Sequence, residues 1–199
     1  MKSKWLLIIL FIFVVVAQLF VPYRMISKQA DYALTGKEFR FRIRHIHRGN
    51  AEGYSGNSMQ GKYIWLQLEQ DKYKVTNKME WDLNQTVYVS FLTDDSGNAL
   101  ILSVGKTKPA GSDWVKAKAF LNYKDSSSLK INYPFSNYYI EDQDTRDIDA
   151  AFTRKLRDST STLCLKVNIK DNQFIVRDLT VDSLTFKDFV KKVRSRRNS

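Results

Sequence analysis

One uninterrupted apolar run near the N-terminus constrains this chain more than any other feature. Residues Trp5–Val21 contain no charge and a single polar residue, Gln18. As a helix, the run would be about 26 Å long, just short of the hydrocarbon core of a bilayer. Pro22 marks its expected end, and an aromatic residue flanks it on each side, as at membrane interfaces. We therefore expect an N-terminal single transmembrane helix within residues 1–24.

A cleaved signal peptide is the alternative interpretation of this run. Lys2 and Lys4 would form its basic start, and Val15-Val16-Ala17 would offer a small-residue cleavage site. The run is longer than the usual hydrophobic region of about 7–15 residues, which favours a retained signal anchor. Basic residues lie on both sides, so charge does not favour either orientation. Long domains translocate largely regardless of loop charge, and we expect the following domain outside the cytoplasmic membrane.

The remaining chain, about 175 residues, fits one domain. Its 12 Phe, 10 Tyr and 4 Trp against 8 Gly and 3 Pro favour sheets rather than disorder. The net charge of +11 has two interpretations, a nucleic-acid partner or an anionic membrane surface. No nucleic-acid motif accompanies the charge, so we expect the lipid bilayer as a partner and no nucleic acid. The single Cys164 lies in an alternating apolar run and is expected to be a buried small hydrophobe.

Alternating residues predict several short strands. In Glu38–Arg48, Phe39, Phe41 and Ile43 share one face and three arginines share the other. His45 and His47 continue the Phe phase, and in Lys62–Glu69 the Ile/Leu face is the expected core side. Further strands are predicted within these ranges: Thr86–Leu92, Leu100–Val104, Trp114–Tyr123, Leu129–Tyr133, Leu163–Ile169 and Phe174–Leu179. Strands and turns of this regularity predict a mainly β (α+β) chain with one compact antiparallel β-sandwich or barrel-like domain.

The predicted organisation follows from these elements. After the anchor comes a juxtamembrane segment at 25–36, then the β domain at 37–186, then a basic C-terminal tail at 187–199. One short helix is expected near 145–157, because apolar residues recur there at helical spacing. The tail is interpreted as a frayed helix or a disordered segment that can contact lipid.

Candidate chemistry in the sequence is sparse. His45 and His47 lie two residues apart, but a metal site needs three or four ligands, so neither a metal nor any other cofactor is expected. Ser58-Met59 after an N-terminal helix is similar to the Ser-Met of type I signal peptidases, in which a lysine is the base; Lys116 and Lys118 lack the matching context. Glu141, Asp142 and Asp144 offer a carboxylate pair, although acids before a helix are usually caps.

Two stretches carry a resemblance to a known family. The first runs from Gly61 to Leu68, in which Gly61, Tyr63 and Leu66 match the family's name motif, and Lys62 and Leu68 depart from it. The second is the better match and includes the residues Pro134, Phe135, Tyr138, Tyr139 and Glu141. The chain resembles the GDYXXLXY family of membrane-anchored bacterial proteins over nearly its whole length. That family has no established biochemical activity, so the resemblance does not imply one for this chain. It does imply a multi-pass membrane protein as a partner, because such proteins are often encoded beside family members.

Two functions remain open at this point. The first is a non-catalytic, membrane-anchored extracytoplasmic β-domain that binds a membrane or envelope partner. The second is a membrane-anchored hydrolase with a signal-peptidase-like Ser/Lys pair or a carboxylate site. No catalytic residue is assigned, and the motif residues are interpreted as a folding signature: Gly61 permits a tight entry into a strand and Leu66 belongs to the core.

Overall fold

The computed structural model describes residues 2–48, 62–75, 81–82, 84–121, 127–140, 155, 158 and 161–197. The two helices are α1 (Lys2–Thr35) and α2 (Phe186–Arg197), and Glu69–Asp71 forms one turn of 3-10 helix. Eleven strands are described: β1 (Lys37–Arg48), β2 (Lys62–Leu68), β3 (Lys72–Lys74), β4 (Gln85–Thr93), β5 (Ala99–Gly105), β6 (Trp114–Leu121), β7 (Ser128–Asn132), β8 (Asn137–Ile140), β9 (Leu163–Lys170), β10 (Gln173–Val181) and β11 (Leu184–Thr185). The helix expected near 145–157 lies almost wholly outside the described residues.

The first helix differs from the predicted anchor. α1 continues through Pro22 to Thr35 and takes in Arg24, Lys28 and Asp31, so the apolar run is continuous with a polar second half. Proline removes one N–H from the helix but does not always end it. Among the described residues, no helix is both long enough and apolar enough to cross a membrane. The expected single transmembrane helix is therefore wrong, and residues 25–35 of the expected juxtamembrane segment belong to the same helix.

A single residue joins α1 to the sheet. The N–H of Gly36 donates to the carbonyl oxygen of Tyr32 at 2.9 Å, which closes the last turn of the helix. The Lys170 ammonium of β9 donates to the Thr35 hydroxyl at 3.0 Å. A Cβ at position 36 would lie only 2.6 Å from that Tyr32 oxygen, so the junction accepts glycine and little else.

The rest of the described chain is mainly β, as predicted. One six-stranded sheet has the order β11-β10-β9-β1-β2-β8, and a five-stranded second sheet has the order β3-β7-β6-β4-β5. All pairs of neighbouring strands are antiparallel. The predicted hairpin of β9 and β10 is confirmed, and its turn places Asp171 and Asn172 at φ 47° and 67°. Positive φ at both central turn residues matches the twist of the flanking strands.

Alternating side chains of the two sheets meet in one core. Phe39 and Phe41 of β1 are fully buried, as the alternation predicts, and they contact Phe91 of β4 in the other sheet. Ile64, Leu66 and Leu68 of β2 point into the same core, and Cys164 is buried as expected. Burial of such side chains contributes about 1.5–3 kcal/mol each, so this core is the main source of stability.

The alternation in β1 changes phase after Ile43. The β1–β2 register shifts between Ile43 and His45, which is a bulge in the strand. One extra residue reverses which side chains face inward. His45 is therefore exposed and Ile46 packs against the core, so the expectation that His45 continues the Phe phase is wrong.

The basic C-terminal segment forms α2 on the first sheet. Thr185 caps this helix: its hydroxyl accepts the Asp188 N–H at 3.2 Å and donates to the Asp188 carboxylate at 2.7 Å. Phe186, Phe189 and Val190 are buried, and their spacing puts them on one helix face. The sequence indicated a basic tail here and did not predict this packed apolar face.

Candidate functional site

The two motif stretches pair along β2 and β8. Tyr63 lies opposite Tyr139, and Ile64 lies opposite Tyr138. The Leu66 N–H donates to the carbonyl oxygen of Ser136 at 2.8 Å, which extends the pairing to the residue before β8. Gly61 and Glu141 lie outside the described residues. The structure thus brings the two stretches together through their backbones.

The side chains of these stretches mainly stabilise the core. Leu66 and Phe135 are each 1% exposed. The Phe135 ring lies 4.9 Å from that of Phe41 and is stacked on Tyr133, with 5.2 Å between centroids. Pro134 is exposed in the turn between β7 and β8. Leu66 and Phe135 therefore contribute to the core, and the interpretation of the whole motif as a folding signature stays a prediction.

The two motif tyrosines whose side chains are described, Tyr138 and Tyr139, lie on opposite faces of β8. Tyr138 is half-buried and its ring lies 5.6 Å from that of Phe186 in α2. Burial raises the pKa of the Tyr138 hydroxyl, and the charge of Asp178 adds to this rise. Tyr139 points to the opposite face of the strand and is 51% exposed. For Tyr63, only the backbone is described.

Tyr133 carries a buried polar group, its own hydroxyl. The Tyr133 hydroxyl donates to the carbonyl oxygen of Gln70 at 2.7 Å, between β7 and the 3-10 helix. Burial raises the pKa of Tyr133 well above its ordinary value, and the negative charge of Asp71 raises it further. Tyr133 is therefore a neutral donor that ties the two segments together rather than an acid–base group at neutral pH.

A serine and a lysine do meet, but not those that the sequence suggested. Ser58 lies outside the described residues, and Lys116 and Lys118 lie on the outer face of β6. Instead, the Lys155 ammonium donates to the Ser161 hydroxyl at 3.1 Å. No motif in the sequence spans the two positions, so this contact could not be predicted from it.

This serine–lysine contact belongs to an ion-pair network. Lys155 also binds the carboxylate of Asp182, which accepts the Thr162 N–H at 2.9 Å. Burial alone would raise the pKa of Asp182, but the bonds from Lys155 and Thr162 outweigh it and the pKa is lowered. In a Ser–Lys nucleophile the lysine amine accepts the serine proton, whereas here the Lys155 side chain is also bound to the Asp182 carboxylate. The network therefore fastens the chain before β9 to the turn after β10.

The other candidate chemistry finds no support in the described residues. Glu141, Asp142 and Asp144 all lie outside them. His45 is exposed, and nothing is described of the His47 side chain. Within the described ranges, no group of three or more His, Cys, Asp or Glu side chains could hold a metal ion.

The most distinctive surface is the outer face of the second sheet. Every charged residue in its five strands is a lysine. We call these exposed residues the lysine face: Lys72, Lys74, Lys116, Lys118 and Lys130. Lys72 lies directly opposite Lys130, Lys118 lies opposite Thr86 and Asn132, and Lys116 lies opposite Tyr88. Opposite residues in antiparallel strands point to the same side, so the face is continuous across four strands.

Comparisons with known proteins place the chain in one family. The model of the family described as GDYXXLXY protein matches residues 18–175, which is most of the chain and includes both motif stretches. No curated protein and no solved structure matches it. The match confirms the resemblance that the motif residues indicated, and the chain belongs to the GDYXXLXY family.

Proposed function

We propose that this protein is a non-catalytic β-domain that binds a partner at the bacterial cytoplasmic membrane or in the envelope. The observation that carries the proposal is the lysine face: five exposed cations on strands that contain no acidic residue. Strand surfaces turned to water usually mix both signs of charge, whereas a surface of one sign favours a partner of the opposite sign. The motif side chains support the same function, since Leu66 and Phe135 stabilise the scaffold that carries this face.

The proposal includes a location and a class of partner. We place the β-domain on the extracytoplasmic side, with a multi-pass membrane protein or the bilayer surface as its partner. A reporter that is active only outside the cytoplasm, fused after Ser199 of the full chain, tests the location. An active fusion supports it, and an inactive fusion on a stably produced chain contradicts it.

Site-specific photo-crosslinking in intact cells tests the binding function. A photoreactive residue replaces Lys118 on the lysine face in one variant of the full chain. In the matched control it replaces Arg177, which is exposed on β10 of the first sheet. We expect adducts with a membrane or envelope component from position 118 and few from position 177. Equal adducts from the two positions, or none from position 118, would contradict the proposal.

A further inference from the structure

We propose that the lysine face binds the phosphate groups of an anionic phospholipid surface. This inference rests on the proposed function and names the chemistry of the partner. It assigns contact with lipid to the outer face of the second sheet, whereas both helices pack against strands of the first sheet.

The spacing of the cations suits a surface of many phosphates. Neighbouring strands lie about 4.8 Å apart and alternate residues of one strand about 7 Å apart. Lys72, Lys130 and Lys118 lie on three successive strands, β3, β7 and β6. Their backbone positions are therefore separated by these short distances. Their flexible stems let the ammonium groups adjust to separate headgroups, since lysine acts as a mobile point charge.

Among the residues that the structure describes, the lysine face has no carboxylate partner. Lys72 lies directly across from Lys130, and like charges at opposite positions destabilise a sheet. Among the described residues, none of the five ammonium groups forms an ion pair with a carboxylate. The Lys118 ammonium donates to a neutral group, the Thr86 hydroxyl, at 3.0 Å. A phosphate bound at this face would remove the repulsion, so the charge arrangement favours an anionic ligand.

The details of the face favour lipid over nucleic acid. The five strands of the second sheet contain no arginine, the residue that recognises phosphates and base edges with paired hydrogen bonds. Sheets that bind single-stranded nucleic acid stack bases on free aromatic rings. Here the ammonium groups of Lys116 and Lys130 lie over the rings of Tyr88 and Trp65, at 5.7 Å and 5.6 Å from the centroids. One face of each of these two rings therefore lies next to an ammonium group, although Trp65 is still 43% exposed.

Vesicle binding by the full chain tests the inference. One variant carries Lys116→Gln, Lys118→Gln and Lys130→Gln. The matched control carries Lys187→Gln, Lys191→Gln and Lys192→Gln, which remove the same charge from exposed positions of α2. Both are measured by co-sedimentation at low and at physiological salt. The vesicles contain either phosphatidylcholine alone or an equal mixture with phosphatidylglycerol.

We expect tighter binding to the vesicles that contain phosphatidylglycerol, weakened by salt. Each lysine near such a surface contributes about a fivefold factor, so the triple variant of the lysine face should bind about 100-fold more weakly. The affinity of the α2 variant for these vesicles should fall much less. Equal binding to both vesicle types would show an apolar contact instead, and equal losses in the two variants would show a non-specific effect of net charge. Either result overturns the inference.

Two further measurements separate the remaining explanations. The circular dichroism spectrum of the lysine-face variant should match that of the native chain, because all three positions are exposed, and its thermal midpoint should be no lower, because Lys130→Gln removes the repulsion from Lys72. Tighter binding of duplex or single-stranded DNA than of vesicles, at the same salt, would overturn the lipid assignment. If vesicle binding fails while position 118 still crosslinks to a membrane protein, the proposed function stands and the lipid inference falls.

Discussion

The rings of Phe41 and Phe91 meet edge to face across the two sheets. Their centroids lie 5.2 Å apart and their planes are inclined at 88°. Phe41 belongs to β1 and Phe91 to β4, so this contact joins the first sheet to the second. Phe135 of the motif and its neighbour Tyr133 contact the Phe41 ring from the turn after β7. The family motif and the contact between the sheets therefore belong to one aromatic cluster.

Removal of the Phe91 ring should destabilise the whole domain. Phe91→Ala leaves a cavity where Phe39 and Phe41 now pack, and such changes cost about 3–5 kcal/mol. Leu92→Ala, at the next position of β4, is the control; Leu92 is 45% exposed, and its loss should be about 1 kcal/mol or less. Urea unfolding measures both. Similar losses at the two positions would contradict the described core.

Tyr133 should make the domain sensitive to alkali. Because burial raises its pKa in the folded chain, the folded state binds a proton that the unfolded state releases above about pH 10. Stability is therefore complete below that pH and falls as the pH rises further. Tyr133→Phe should cost about 0.5–1.5 kcal/mol at neutral pH, through the lost bond to Gln70, and reduce the alkaline decline. Unfolding midpoints between neutral and alkaline pH measure both effects, and Tyr139→Phe on the exposed face is the control.

Asp182 should contribute stability that acid removes. Its pKa is lowered in the folded chain, so its contribution is present above the unfolded value of about 3.9 and disappears as the pH falls below it. Asp182→Asn should lower the thermal midpoint at pH 7 and flatten its decline towards about pH 3. Asp95→Asn, in an exposed turn, should change neither. If the thermal midpoint of the Asp182→Asn variant fell in acid as steeply as that of the native chain, the network with Lys155 would not be formed.

Cys164 should be unreactive until the domain opens. Burial raises the pKa of its thiol, and only the thiolate reacts with disulfide reagents. We expect slow modification in the native protein and rapid modification once denaturant unfolds it. Ser103→Cys, which adds a thiol at an exposed position of β5, provides a fast-reacting reference. Fast reaction of Cys164 itself in the native chain would show that β9 is open to solvent.

Local pattern predicted most of the strands and failed at specific residues. The alternation of Phe39, Phe41 and Ile43 predicted their burial, but a bulge at Ile43 exposes His45, and no local signal marks the bulge. The strands β3 and β8 have three and four residues, too few to show a period. Pro22 suggested a helix end because proline lacks an N–H, yet α1 continues beyond it.

The candidate surfaces depend on contacts that the sequence does not show. Lys116 and Lys118 are adjacent on one strand face by simple alternation. Their proximity to Lys130 and Lys72 needs the strand order β3-β7-β6, which no single-sequence pattern contains. In the same way, Lys155 and Asp182 are far apart in the chain and meet only because the turn after β10 returns to the start of β9.

The one-residue junction at Gly36 has a mechanical consequence. The Gly36 N–H is bound to Tyr32 and the Thr35 hydroxyl is bound to Lys170, so the backbone on both sides of the junction is held by hydrogen bonds. These two bonds hold the end of α1 against the start of β1 and the end of β9. A partner that binds α1 would therefore also fix the orientation of the first sheet.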